Sequence, residues 1–330
     1  MTASPVKGGA VTRRAALALA AGAAGLAAGI RPATAAAKIR IGLATKTWWP
    51  SVIAETAVQQ KLFEKVGLEA ELTVYRSGGE AFEALAAGAC DLTIGLPAQM
   101  GAGRLRGVNT KLMALGSDTN PGWRLLVKAS SPIKSVAEIA GKKVGITASG
   151  SLSDFMALWL RSHAKIDFAS VPLGGGGLVP NLLAGNVDAA IVYSPLSFQV
   201  LQSGQARALL DFATAIPPHF AGGWASTDEL IETRKEDLNK ALQAIYGAVA
   251  YMRANRATAI QMIADINDIP EPIARQEYEE TFLRLSTDGT FNLEQLKVAY
   301  ELARIGGFEK LAPPEEIITT AFIPVRPAAL

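Results

Sequence analysis

The sequence predicts an α/β protein of two matching lobes, each a mostly parallel sheet flanked by helices, with a cleft between them. Three observations predict it. A unit of turn, short helix, glycine cap and buried strand occurs twice, and Gly78 and Gly175, Leu85 and Leu182, Asp91 and Asp188, and Ile94 and Ile191 all stand 97 residues apart. Strand-like apolar runs alternate with helical stretches, a pattern that calls for parallel strands joined by right-handed crossovers. The 293 residues that follow an N-terminal leader lie near the size at which one core gives way to two.

The leader is residues 1–37. It holds Lys7, Arg13, Arg14 and Arg31 and no acid, then an Ala/Leu/Gly run too short for a comfortable membrane span, then small residues at Ala33-Thr34-Ala35 or Ala35-Ala36-Ala37. Those are the parts of a secretory signal cleaved near residues 35–37, and Thr12-Arg13-Arg14 resembles a twin-arginine signal. A periplasmic protein is expected. The chain has 32 Lys+Arg against 30 Asp+Glu, so losing four basic residues with the leader leaves 28 against 30. No clustered basic face argues for nucleic acid. The lone Cys90 allows no internal disulfide and sits in an apolar segment as a buried, inert thiol.

Along the mature chain, Lys38–Leu43 alternates as a strand, and a loop holding Trp48-Trp49-Pro50 follows. A helix is expected over 53–63, closed by Gly67, then a strand over 69–75 and the first copy of the repeated unit. A helix-like stretch from Ala98 and strands at 111–116 and 123–127 lead out of the first lobe. Lys143–Thr147 restarts the pattern, with Gly145 answering Gly42 at an offset of 103, and a helix runs from Ser149 to about His163. The second copy closes near Tyr193. Amphipathic helices over 237–252, 271–285 and 292–303 end at Gly306-Gly307 and are expected to cover the first lobe. The lobes are therefore drawn as 38–122 with 220–330, and 123–219, with crossings near 118–128 and 212–226.

Catalytic residues are scarce. His163 and His219 have no Cys, Asp or Glu at metal-ligand spacing and read as surface residues, and no nucleophile elbow, zincin motif or P-loop occurs. No active site, metal or cofactor is expected. Asp91 and Asp188 read as turn formers rather than a carboxylate pair.

Binding residues are better supplied. Ligands of open parallel sheets gather beyond the carboxyl ends of the strands. The loops there hold Thr45, Lys46, Thr47, Trp48 and Trp49; Ser77, Gly78 and Gly79; Gly95 to Gln99 with Leu96 and Pro97; Ser149, Gly150, Ser151 and Ser153; Gly175 within the Gly174–Gly177 run; and Tyr193-Ser194-Pro195. Asn120 and Trp123 in the first crossing and Trp224 in the second complete the candidate set. Ser149–Asp154 could hold an anionic group at a helix N-terminus, or form a capping box of Ser151 and Asp154; the two are compatible, though Asp154 weighs against a strongly anionic ligand. The tryptophans fit either core packing or rigid ligand contact. Arg76 and Arg124 could pair with a ligand, but structural roles fit them better.

On Gln60-Lys-Leu-Phe-Glu-Lys-Val-Gly-Leu68, Ser77-Gly-Gly with Ala87-Gly88-x-x-Asp91, Val136-Ala-Glu-Ile-Ala-Gly-Lys-Lys-Val-Gly-Ile146 and Leu183-Ala-Gly-Asn-Val-Asp-Ala-Ala-Ile-Val-Tyr-Ser-Pro195, the chain resembles the nitrate/sulfonate/taurine-type family of ABC-transporter substrate-binding proteins, which includes the thiamine-pyrimidine-precursor binders. The resemblance spans residues 38–325. It implies the type II periplasmic-binding-protein fold, two lobes joined by two crossover strands, hinge closure on a ligand, and delivery to an inner-membrane permease. It places ligand contacts on the Thr45–Trp49 loop, Ser77-Gly78, Leu96-Pro97, the Ser149–Ser153 helix start and Tyr193. The bulky Thr47-Trp48-Trp49-Pro50 departs from many members and favours an organic ligand, such as a sulfonate, carboxylate or pyrimidine, over nitrate. A monomer is expected. Two other readings are a TRAP-type solute receptor and an enzyme like those that synthesise the thiamine pyrimidine; the single cysteine, few histidines and export signal argue against the enzyme.

Overall fold

The computed structural model describes residues 36–329 together with Thr2 and Ser4. The expected leader, with its Arg13-Arg14 pair and Ala33-Thr34-Ala35, lies outside the described residues. Ala37 already pairs with Leu68 in the first strand.

Two five-stranded sheets organise the chain. The first uses β1 (Ala37–Leu43), β2 (Leu68–Val74), β3 (Leu92–Gly95) and β4 (Thr110–Ser117), and the second uses β5 (Arg124–Lys128), β6 (Lys143–Ile146), β7 (Ala169–Pro172), β8 (Ala189–Val192) and β9 (Ala206–Asp211). β10 (Gly222–Thr227) returns to the first. The orders are β2-β1-β3-β10-β4 and β7-β6-β8-β5-β9. β10 runs antiparallel to β3 and β4, and β5 antiparallel to β8 and β9, while β1 and β6 pair in parallel with their neighbours. Four of the five strands in each sheet thus point one way, and the reversed strand is the one that has just crossed from the other sheet.

The helices that matter to the cleft are α1 (Trp49–Gln59), α2 (Gly78–Ala86), α3 (Pro97–Arg104), α4 (Leu152–Ala164), α5 (Leu178–Ala184), α6 (Leu196–Gln202), α7 (Lys235–Ala254), α8 (Arg256–Asn267), α9 (Glu271–Glu280) and α10 (Leu293–Ile305). α1 opens on Trp49, with Pro50 in its first turn, where a missing N–H costs nothing. The helix expected to run to Phe63 breaks at Lys61, which is left-handed at φ 56°. That turn lets the adjacent Leu62 and Phe63 both reach the core.

The repeat holds in its details. Each copy ends its helix at a left-handed glycine, Gly88 at φ 70° and Gly185 at φ 81°. Asp91 and Asp188 do more than turn the chain. The Asp91 carboxylate accepts from the Arg40 amide at 2.9 Å while the Asp91 amide donates to the Arg40 carbonyl at 2.8 Å. Asp188 makes the same exchange with Lys143, at 2.8 and 2.9 Å. Arg40 and Lys143 stand 103 residues apart, the offset of Gly42 and Gly145. Asp91 therefore fastens β1 to β3, and Asp188 fastens β6 to β8.

The C-terminal helices do not confine themselves to the first sheet. α7 packs on α1, as expected, but α9 meets α6 and α10 lies between α3 and α4, so both reach the second half. α10 starts from a capping box in which Asn292 accepts from the Gln295 amide at 2.9 Å and Gln295 accepts from the Asn292 amide at 3.0 Å. Among the described residues, no helix is long and apolar enough to cross a membrane.

Candidate functional site

The carboxyl ends of the parallel strands in the two sheets face one another. Between them lies a cavity of about 30 Å³. The segments after β1 and β3 supply Ala44, Thr45, Trp48, Leu96 and, in α3, Gln99; those after β6 and β8 supply Thr147, Ser151, Leu152 at the start of α4, and Tyr193; Gly78 and Trp123 complete the wall with Ile94. Among these lining residues none carries a formal charge. The cavity has room for about two waters by the volume a water needs.

The halves touch across it in a two-fold pattern. A Cβ on Gly79 would stand 2.9 Å from the Ser149 carbonyl, and one on Gly175 would stand 2.6 Å from the Thr45 methyl and 2.8 Å from the Tyr193 hydroxyl. The Gly175 amide donates to the Arg76 carbonyl at 2.9 Å, Gln99 Nε2 to the Gly150 carbonyl at 3.2 Å, and the Thr47 and Tyr193 hydroxyls lie 3.3 Å apart. Each glycine turn packs on the first loop of the opposite half. Only glycine permits so close an approach of backbone to its neighbour. Ser77 caps α2 by accepting from the Glu80 amide at 3.2 Å, and the Ser51 hydroxyl holds the first loop through the Thr45 carbonyl.

At the start of α4 the hydroxyls bond one another rather than forming the expected capping box. The Thr147 hydroxyl donates to Ser151 at 2.7 Å, Ser151 donates to the Ala148 carbonyl at 2.6 Å, and Ser153 accepts from the Thr147 amide at 2.9 Å. Asp154 reaches back to the Gly150 amide at 2.8 Å instead of serving a cap with Ser151. Burial pushes the Asp154 acid up, with the Gly150 amide opposing. The first amides of α4, at Leu152 and Ser153, keep no protein acceptor among the described residues, as helix starts do. Thr45 Oγ1 is buried and equally without a partner.

Aromatic rings run from one half to the other. Trp49 and Trp48 lie 5.6 Å apart, Trp48 and Trp123 6.1 Å, and Trp123 and Tyr193 5.4 Å, all tilted or edge-on. The last three are buried and line the cavity.

Of the residues singled out from sequence, Thr45, Trp48, Gly78, Leu96, Trp123, Ser151 and Tyr193 line the cavity. Thr47, Trp49, Ser77, Ser149, Gly150, Ser153 and Gly175 buttress it without lining it. Pro97 and Asn120 line a neighbouring chamber. Trp224 is displaced from the site altogether: at 1% exposure it is core, because its crossing segment becomes β10 and sets it inside the first sheet. His219, expected at the surface, is only 7% exposed, and its Nδ1 bonds the Pro217 carbonyl at 2.8 Å. His163 is exposed and stacks on Trp159. Arg76 pairs with Glu80, and Arg124 with Asp211 and Glu280, so both are structural. Burial lifts the Cys90 thiol to about 11, as an inert core cysteine requires. Gln99 and Leu152, which lie within segments marked from sequence, line the cavity too, and Thr147 escaped the sequence reading. Thr147 ends a strand that answers β1 at offset 103, which is the signal that could have found it.

Comparison with known proteins adds the following. The profile of the family described as NMT1/THI5 like matches residues 53–259. A relative from Brucella abortus (strain 2308), named "Putative binding protein", is 24% identical over 268 residues, covering 77% of this chain and 81% of that protein. The alkanesulfonate-binding protein SsuA from Xanthomonas axonopodis pv. citri, solved bound to MOPS, superposes with TM-score 0.74 at 19% identity, covering 86% of this chain and 99% of SsuA. The desulfurization enzyme DSZB superposes with TM-score 0.60 at 13% identity, covering 87% and 97%. At these identities the likeness to solved structures is one of fold, that of the periplasmic binding proteins.

Proposed function

The chain belongs to the NMT1/THI5-like family, and on that premise we propose that it is a solute-binding protein of an ABC importer, holding a small organic molecule between its halves and delivering it to a membrane permease. One observation carries the reading. The cavity lies at the carboxyl ends of both sheets, is walled by Trp48, Trp123 and Tyr193, and offers hydroxyl, amide and helix-start donors with no charged side chain.

Such a lining suits a ligand with a flat or apolar part and one polar group, a sulfonate, carboxylate or pyrimidine-like heterocycle. A bare nitrate would find no cation there. At about 30 Å³ the cavity is too small for such a molecule as it stands, so the halves part to admit it and close on it. The crossing segments 118–123 and 212–221 are where that hinge would act. The ligand contacts we assign are Thr45, Trp48, Gly78, Leu96, Gln99, Trp123, Thr147, Ser151 and Tyr193. An exported, periplasmic location, with the permease as partner, follows from the same reading.

The test is a thermal-shift screen of sulfonates, aromatic and aliphatic carboxylates, pyrimidines and nitrate on the purified protein, followed by calorimetry on each hit. One organic compound is expected to bind at about micromolar Kd or tighter, roughly 8 kcal/mol. Trp48→Ala and Ser151→Ala should each weaken it at least tenfold; wild-type affinity in both would place the site elsewhere. The fold shared with DSZB favours an enzymatic alternative, and progressive loss of the hit compound, followed by mass spectrometry, would replace the transport reading with it.

A further inference from the structure

Beside the central cavity lies a second chamber of about 60 Å³, twice its volume. The two share Leu96 and Leu152 as walls. A third space of about 10 Å³ borders both, lined by Trp48 and Trp123 of the first, Asn120 and Ala221 of the second, and Leu152 of each. The two spaces are therefore adjacent, with the Leu96 and Leu152 side chains between them.

The chamber is apolar on most sides. α4 gives it Phe155 and Trp159, the returning crossing gives Phe220, and α10 gives Ala299 and Ala303, whose small side chains leave the space unfilled. Two buried polar groups face it. Asn120 is 3% exposed, and its Oδ1 has no hydrogen-bond partner. His219 Nδ1 lies against a carbonyl, which can only accept, so Nδ1 carries the proton and Nε2 is the ring's acceptor. Burial lowers the basicity of this ring, which keeps it neutral. A buried, unpaired oxygen such as Asn120 Oδ1 is costly unless something completes it.

We propose that this chamber is an apolar subsite of the ligand cleft, built to take a short alkyl or aryl segment that ends in a neutral hydroxyl or amide, with Asn120 and His219 reading that end. It rests on the cleft's being the ligand site. The absence of a cation from the chamber wall excludes a second carboxylate or sulfonate at the far end.

The probe is a series of 1-alkanols of three to eight carbons, which carry the chain and the hydroxyl without a polar head. Binding to the full-length protein is followed through the indole NMR signal of Trp159. Affinity should rise about fourfold per methylene until the chamber is full, then level off. Ala303→Phe, which fills the chamber, should abolish the response, and His219→Phe should weaken the alkanols severalfold. No Trp159 response, no dependence on length, or an unchanged response in a folded Ala303→Phe protein overturns the subsite. Alkanol binding without any hit among the polar compounds would keep the chamber and remove the proposed function; polar hits with no alkanol response would do the reverse.

Discussion

Glu277 is fully buried in α9 with no cation beside it. Its Oε2 accepts from the Thr281 hydroxyl at 3.2 Å, that hydroxyl lies 3.0 Å from Ser194 of the second half, and Oε1 has no partner. Burial raises its acid to about 8, with the Ser194 and Thr281 hydroxyls pulling it back and Glu280 pushing it further up. The unfolded chain releases this proton near pH 4.3, whereas the folded chain holds it until about 8. The folded state thus binds more protons between those values, and stability falls as pH rises through that window, by at most about 1.4 kcal/mol per unit. Glu277→Gln keeps the shape and removes the titration. Urea midpoints at pH 5 and pH 8 should lie closer together in the variant, and an unchanged gap would mean that the fall comes from other groups. Nothing in the sequence around Glu277 announces its burial, because Glu279 and Glu280 beside it are exposed. Trp48 and Trp123 were legible as cavity-lining residues because both lie in segments that leave the carboxyl ends of strands. Trp224 was not, because which part of a crossing joins a sheet depends on a partner strand far away in sequence.

At the scale of elements, the repeated aspartates show one sequence signal serving two energetic roles. Asp91 fastens β1 to β3 and Asp188 fastens β6 to β8, yet Asp91 is buried and also pairs with Arg40 and Arg234, whereas Asp188 is exposed. Burial pushes the Asp91 acid up, but the hydrogen bonds and charge of Arg40, with Arg234, outweigh it and hold the group below its ordinary value. A depressed carboxylate stabilises the fold above its unfolded pKa, and that share is lost as pH falls through the folded one. Asp91→Asn should cost about 2–3 kcal/mol, less than a fully buried pair because both arginines are partly solvated. Asp188→Asn should cost under about 1 kcal/mol. Equal shifts in denaturation midpoint would contradict this division. The offset of 97 made both elements readable from sequence; the second partner of Asp91, Arg234, stands 143 residues away and left no local trace. The start of α4 was placed correctly as a helix terminus, but its chemistry was not, because Asp154 bonds backward to Gly150 instead of serving a cap with Ser151.

At the scale of the whole molecule, the fold class was legible because the repeat and the strand-helix alternation are local patterns. Less legible was the way α9 and α10 join the halves, since an amphipathic face shows that a helix lies on something without showing what. Those bridges bear on closure. A ligand that binds only the closed, folded protein adds RT ln(1 + [L]/Kd) to its stability, about 2.7 kcal/mol at a hundredfold excess over Kd. Urea unfolding of the protein with and without the screen's best hit should differ by about that amount. A hit that leaves the midpoint unmoved at that excess binds folded and unfolded chains alike, and would not be the cargo.

The reversed strands set a timetable for synthesis. β5–β9 is one uninterrupted stretch, so the second sheet has all its strands once Asp211 leaves the ribosome. The first sheet begins earlier and finishes later. β3 and β4 have no strand between them until β10, at Gly222–Thr227, has been made. Through that interval the older half of the chain exposes two unpaired edges, the condition in which nascent proteins aggregate. The first-made sheet is thus the last completed, and a chaperone would have the most to guard there.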